Sequence, residues 1–471
     1  MTSLEYIFHP RSIALVGASD NAFNPATIMF LEPLKKFGYT GDIFPVNPNA
    51  STVSGLTAYP TVRDIPGPVD HVICAIPASS TRQLLEDCIA KGVKVFHMYT
   101  SGFSEIGVHD MGRLQDELVQ IARKGGIRII GPNCMGLYYP KLGISFCPTF
   151  PEESGSVGLI AQSGSYSLLV TIGAASRGVR FSKVVSYGNA SDINECDLLE
   201  YLADDPETDI IAGYIEGTSD GHRLKKVLAE AAGKKPVILV KKGGTAAGTR
   251  GASSHTGALA GDDKVWDALI RQSGAIRVPD LEQMIDLLVT FQFMPLPQGK
   301  DAVVIGIGGG PSVRAADDCE RGGLKLPPIP EDMVAELRRY APTAGSMLRN
   351  PVDVGKMHID WDPVIKTFTD WGQTDMFIWQ IAPDIEPFEE NSFIRQFCID
   401  QRARFLQEFI KSGKPLAVAV HTAESRFALS ILDITRNECV KHKVPFYTSV
   451  YSAARAISQF IDWNRRHSGL P

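Results

Sequence analysis

The chain has 471 residues, 44% of them hydrophobic, enough to build cores in two to four domains. Its formal net charge of -6, with no basic stripe, gives no overall attraction to nucleic acid or to an anionic membrane, so a phosphate-bearing ligand must be held by local donors. Eight scattered cysteines without a CxxC pair, no spacing that reads as a metal site, no apolar stretch of bilayer length and no signal core at the amino terminus together read as a reduced, cytoplasmic protein.

Short β-branched runs alternate with amphipathic stretches from end to end, which predicts an α/β chain of three doubly wound domains with mainly parallel sheets. In residues 1–150 the strands are Ile13–Val16, Asp42–Val46, His71–Ile76, Lys94–Tyr99 and Ile127–Ile130, and Pro148, Pro151 and Gly155 punctuate the end. Residues 151–297 open with Val157–Ala161, turn through Gln162-Ser163-Gly164 into a helix, and continue with strands Ser182–Ser186, Ile210–Ile215 and Pro236–Val240. Helices Asp197–Ala203 and Arg223–Ala232 separate these strands, and Leu281–Phe293 closes the domain before the Pro295–Gly299 linker. Residues 298–471 restart with Ala302–Gly306, Gly308-Gly309-Gly310-Pro311-Ser312 and a helix through Arg321, with later strands Met376–Ile381 and Leu416–His421. A strand leading through a Gly/Ser turn into a helix thus occurs three times, starting at Ile13, Leu159 and Val303.

Each such turn offers free backbone N–H groups and a helix dipole to a phosphate, although tight connections need glycine in any case. After the first strand stands Gly17-Ala18-Ser19, without a full GxGxxG. The second strand ends in Pro45-Val46-Asn47-Pro48 instead of the acid that would hold an NAD ribose, which disfavours an NAD-dependent oxidoreductase. Gly131-Pro132-Asn133-Cys134 follows the fifth strand, where open sheets place ligands, and it also suits a rigid exit turn. No base or cation adjoins Cys134, so it is assigned to the pocket wall. His255 lies in a run from Lys241 to Gly261 rich in Gly, Ala, Ser and Thr, too poor in bulky side chains to form a core. An imidazole there is open to close approach by a ligand and is a competent nucleophile toward phosphorus.

Ala252-Ser253-Ser254-His255-Thr256-Gly257, followed by Ala258-Leu259-Ala260-Gly261, resembles the phosphohistidine loop of the NDP-forming acyl-CoA synthetases, the superfamily that includes succinyl-CoA synthetase and ADP-forming acetyl-CoA synthetase. The blocks Ser12–Ser19, Gly131–Cys134, Gln162–Gly164, Ser186-Tyr187-Gly188-Asn189 and Asn350-Pro351-Val352-Asp353 agree in order and spacing and span nearly the whole chain. The resemblance implies three Rossmann-like or flavodoxin-like domains. It implies coenzyme A as a substrate of the first, with Gly17, Ala18 and Ser19 near its phosphates, Asn47 beside them, Ile76, Pro77 and Ala78 flanking the adenine, and Asn133 and Cys134 in the pocket. In the second it implies His255 as the phosphoryl carrier and Glu216 as the carboxylate that orients it, with Asp220 the nearest rival, and Gln162, Ser163, Gly164 and Ser165 as phosphate-stabilising groups.

No Walker or ATP-grasp segment is found, so ADP or ATP and magnesium are expected on a separate ATP-grasp β subunit, within a heterotetramer that activates a small carboxylic acid. Two departures stand out. Asn49, Ala50 and Ser51 occupy positions where relatives often carry a basic residue, leaving Lys35, Lys36 and Arg82 as substitutes, and Gly244 and Ala246 replace a common Arg and Glu. The competing expectation is a non-catalytic CoA-binding regulatory subunit.

Overall fold

The computed structural model describes residues 4–244, 261–341, 347–353, 361–383, 392–421 and 424–468. By internal contacts it forms two units, Met1–Ala175 with Arg180–Met284, and Ser176–Val179 with Ile285–Pro471. Among the described residues no helix is long and apolar enough to cross a membrane.

The first unit holds two main sheets. One is built from β1 (Ser12–Val16), β2 (Asp42–Val46), β5 (His71–Cys74), β6 (Val95–Met98) and β7 (Arg128–Ile130), with a small hairpin of β3 (Thr52–Val53) and β4 (Leu56–Thr57) between the second and third of them. Its order is β2-β1-β5-β6-β7 and every pairing is parallel. Ala14, Leu15, Val72 and Phe96 are wholly buried, as expected where helices cover both faces and strands read as unbroken apolar runs.

The other sheet contains β8 (Gly136–Tyr138), β9 (Val157–Ala161), β10 (Phe181–Ser186), β11 (Ile210–Ile215), β12 (Val237–Lys241) and β13 (Ile276–Val278), in the order β13-β12-β11-β9-β10-β8. Its edge strand β8 runs antiparallel to β10. The one charged residue inside β10, Lys183, is 1% exposed and is held by Asp205 at 2.7 Å and Glu207 at 2.8 Å, with its ammonium 4.4 Å from the Tyr139 ring centre. Asn194 caps the helix Glu195–Asp204 in a reciprocal capping box with Asp197.

The second unit carries β14 (Ala302–Gly306), β15 (Met347–Leu348), β16 (Val352–Asp353), β17 (Met376–Ile381), β18 (Leu416–Val420) and β19 (Phe446–Tyr447), in the order β15-β16-β14-β17-β18-β19. Asn350 props the start of this sheet: its side chain accepts from Val304 N and donates to Ala302 O, the pattern a neighbouring strand would make.

Leaving aside the antiparallel edge strands, all three sheets share one order, in which the second strand lies on one side of the first and the third on the other. This is the doubly wound arrangement whose ligand crevice opens at the carboxyl ends of the first and third strands. In the first sheet that crevice lies beyond Val16 and Cys74, and in the second beyond Ala161 and Ile215.

Candidate functional site

Gly17 follows β1 with φ +100, and a Cβ built on it would stand 2.5 Å from Ala75 O, so its conformation and its space both exclude a side chain. The turn is tied down internally: Asn47 donates from Nδ2 to Ala18 O at 2.9 Å, and Thr27 Oγ1 donates to Ser19 O and accepts from Ser19 N. Asn47 also accepts from Asn49 N, so both ends of its amide are spent on shaping the loop. Of the three substitute cations, Lys35 donates to Ser54 O, Lys36 to Pro148 O, and Arg82 pairs with Glu86 and Glu117.

Beyond β5, β6 and β7 the chain opens into a cleft of about 530 Å³. Its walls are Ala75, Ile76 and Pro77 from the first loop, Tyr99, Thr100 and Ser101 from the second, and Asn133, Cys134 and Met135 from the third. The opposite wall is Ser163, Gly164, Ser165 and Leu168, from the amino-terminal end of the helix Gly164–Ala175. Loops of the first sheet and the helix start of the second therefore enclose one space. Ala78 lies just outside this wall, in the turn closed by Thr81 Oγ1 donating to Ala78 O.

The loops are set by hydrogen bonds to one another. Thr100 Oγ1 donates to Ile76 O at 2.7 Å, and Asn133 N donates to Thr100 O at 3.0 Å. Asn133 adopts φ +58, in the left-handed region that Asn tolerates better than most residues. Burial pushes the Cys134 thiol far above the ordinary cysteine range, so it is an inert wall and not a nucleophile. Tyr99, Thr100, Ser101, Met135 and Leu168 were not singled out from the sequence; the one available signal was Thr100-Ser101-Gly102 directly after a strand.

Glu216 stands at the end of β11, 5% exposed. Gln162, from the end of the adjacent β9, accepts at Oε1 from both Glu216 N and Gly217 N, the latter at 3.0 Å. Gln162 thereby braces the Glu216 turn, while Ser163, Gly164 and Ser165 line the cleft. The Tyr214 hydroxyl donates to Glu216 Oε1 at 3.1 Å, and the Tyr214 ring stacks on Tyr166 at 3.8 Å. Burial, reinforced by the Glu216 charge, holds the Tyr214 phenol well above its ordinary range, so it remains a donor. Asp220 is exposed and accepts from Arg223 N at 2.9 Å as the cap of the helix Gly221–Lys234, a structural task remote from Glu216's setting.

Beside Glu216, Lys241 ends β12 with its ammonium 5.0 Å from the Trp266 ring centre. Burial pushes this ammonium down to about 8, with Asp263 and Glu216 opposing the shift. His255 and its neighbours from Thr245 to Ala260, including Ala246, lie outside the described residues. The ends of that segment are described: Gly244 packs against Asp263, and Gly261 against the Trp266 indole. No three His, Cys, Asp or Glu side chains come together as a metal site among the described residues.

Comparison with known proteins finds relatives of both parts of the first unit and of the chain as a whole. Residues 11–140 match the model of a CoA binding domain, and residues 154–291 match that of the succinyl-CoA ligase like flavodoxin domain. Subunit alpha of the ADP-forming acetate–CoA ligase II of Pyrococcus furiosus is 38% identical over 351 residues, 74% of this chain and 76% of that protein. Subunit alpha of ligase I of the same organism is 34% identical over 484 residues, covering 98% of each chain. The apo structure described as dinucleotide forming acetyl-coenzyme A synthetase 1 of Ca. Korarchaeum cryptofilum matches with a TM-score of 0.81 at 27% identity, over 99% of this chain and 98% of that one.

Proposed function

The chain belongs to the family of ADP-forming acyl-CoA ligases, among their α subunits, and from that premise we propose that it carries the acid-activating and CoA-joining steps of acid + CoA + ATP → acyl-CoA + ADP + phosphate. The observation that carries this reading is the single cleft between the loops after β5, β6 and β7 and the start of the helix Gly164–Ala175, with Glu216 braced from the same β9 turn.

In this reading phosphohistidine 255 gives its phosphoryl group to the acid's carboxylate, forming an acyl phosphate and freeing the imidazole. The CoA thiol then attacks the acyl carbon. The bond from that carbon to the phosphate oxygen breaks, inorganic phosphate leaves, and the thiol proton passes to phosphate or solvent. Glu216 accepts a hydrogen bond from the imidazole and so stabilises its cationic phosphorylated form. Gly17, Ala18 and Ser19 receive CoA phosphate, Ile76, Pro77 and Ala78 its adenine, and Asn133 the end that enters the cleft. Ser163, Gly164 and Ser165 offer hydroxyls and helix-start N–H groups to the phosphoryl group.

An acetate–CoA ligase of Methanocaldococcus jannaschii matches over 49% of its own length, so about half of that longer protein has no counterpart in the aligned region. We assign ATP, ADP and magnesium to a separate ATP-grasp β subunit, in a cytoplasmic heterotetramer. The test is a single turnover: the complex is phosphorylated with Mg-ATP, freed of nucleotide, and given CoA with one acid at a time, beginning with acetate. The matching acid should yield one acyl-CoA and one phosphate per phosphohistidine lost. Acyl-CoA formed without phosphate release, or with AMP and pyrophosphate from ATP, would rule the mechanism out.

A further inference from the structure

The Ser186–Asn189 block has so far no task, and its contacts give it one. The segment from Ser186 to Ile193 runs alongside the loop that follows β7. Ser186 Oγ accepts from Met135 N at 3.1 Å, Asn189 N donates to Pro132 O at 3.0 Å, Ser191 donates to Gly131 O from N and from Oγ, and Ile193 N donates to Ile129 O. Asp192, 7% exposed, accepts from Ile129 N and from Arg123 and Arg128. Two residues bend to allow this fit: Gly188 at φ +56, where a Cβ would strike Pro132 O and Asn133 O, and Ala190 at φ +56 despite having a side chain.

Asn189 is the one member that reaches a second loop of the cleft. Its Nδ2 donates to Glu105 Oε2 at 2.7 Å and lies 3.1 Å from Gln115 Oε1 and 3.3 Å from Ser104 Oγ. Glu105 in turn accepts from Gly102 N and Phe103 N, the residues that follow Thr100 and Ser101 in the cleft wall. Because a carboxylate can only accept, the atom of Asn189 that faces it must be the nitrogen. One residue on the second sheet's β10 loop therefore ties the loop after β6, through its side chain, to the loop after β7, through its backbone N.

We infer that Asn189 is a positioning residue that sets the two loops receiving the thiol end of CoA relative to the phosphoryl site, and so governs the CoA step and not the phosphorylation of His255. This rests on the functional reading above. Asn189 touches no reacting atom. Its effect passes through Glu105 to Thr100 and Ser101, and through Pro132 to Asn133.

The test uses the full chain with its partner and three readouts: CoA affinity by calorimetry, KM for CoA against kcat, and phosphate on His255 after Mg-ATP. Asn189→Asp keeps the shape but sets a carboxylate against Glu105. CoA affinity should fall roughly tenfold or more, with KM for CoA rising and His255 phosphorylation unchanged. Adding Glu105→Gln reverses the polarity of the pair, since Gln Oε1 still accepts from Gly102 and Phe103 while Nε2 donates to the new Asp, and the Gln115 amide, whose oxygen faces Asn189 at 3.1 Å, turns to present its NH2. The double variant should recover wild-type CoA affinity to within about threefold. Unchanged CoA affinity in the single variant overturns the inference, and so does a loss that Glu105→Gln does not repair. If the single variant fails to fold, Asn189→Ala, which removes the donor without adding a charge, takes its place: lower CoA affinity with His255 phosphorylation unchanged supports the inference, and unchanged affinity overturns it. A wild-type complex that binds CoA but never carries phosphate on His255 would instead sink the functional reading.

Discussion

Glu216 is held by neighbours that can be removed singly. Tyr214 touches its carboxylate through one hydroxyl, and that ring is otherwise anchored by stacking on Tyr166. Tyr214→Phe keeps the stack and deletes a hydrogen bond to a charged group, so phosphorylation of His255 by Mg-ATP should slow roughly tenfold with CoA affinity unchanged. Rapid-quench labelling measures it, and a full-rate variant would show that the hydroxyl does not matter to Glu216. Lys241 permits a second test. Its folded-state value near 8 lies below the ordinary 10.5, so between those pH values the unfolded chain holds a proton that the folded chain lacks. Stability should therefore rise with pH across that window, and Lys241→Met should remove that part of the rise, as denaturant titrations at both ends would reveal. Equal slopes in the two proteins would contradict the burial argument. Glu216 can be proposed from the sequence as the acidic partner of a histidine because it ends a clear strand, and the structure buries it there. Its brace was not legible: the sequence offers Gln162 as a phosphate-stabilising group, and only the structure shows its Oε1 accepting from Glu216 N and Gly217 N.

At the level of elements, the strands and helices assigned from the sequence fell within two residues of their observed positions, since buried β-branched runs flanked by glycine leave little choice. Long helices such as His109–Lys124 and Arg426–His442, and some short strands, were not assigned. β8 and β13 have three residues each, too few to show a period, and β8 joins the second sheet although it precedes the Pro148–Gly155 punctuation. Its place is set by tertiary pairing with Val184–Ser186, not by local preference. The Lys183 cluster joins that edge to the loop before β11, through Asp205 and Glu207. Lys183→Met would leave both acids without their buried partner and should cost about 3–5 kcal/mol, read as a lower urea midpoint for the first unit. A loss below about 1 kcal/mol would mean that water reaches these carboxylates and the pair adds little.

Across the whole molecule, the same strand order recurs in three sheets, and the cleft of the first unit opens at the carboxyl ends of β5, β6 and β7, against the turn that follows β9. The sequence displayed this as three strand-turn-helix passages, but not the meeting of the one that starts at Leu159 with the loops after β5, β6 and β7 around one cleft, because these segments lie far apart in the chain. We propose that this cleft serves a histidine that carries phosphate. The deciding experiment isolates the chain with its native partners, adds Mg-ATP, and maps acid-labile phosphate by mass spectrometry under non-acidic conditions. Phosphate should appear on His255 and disappear in His255→Asn. A nucleotide-bound partner with His255 unmodified, or phosphate carried on another residue, would contradict it.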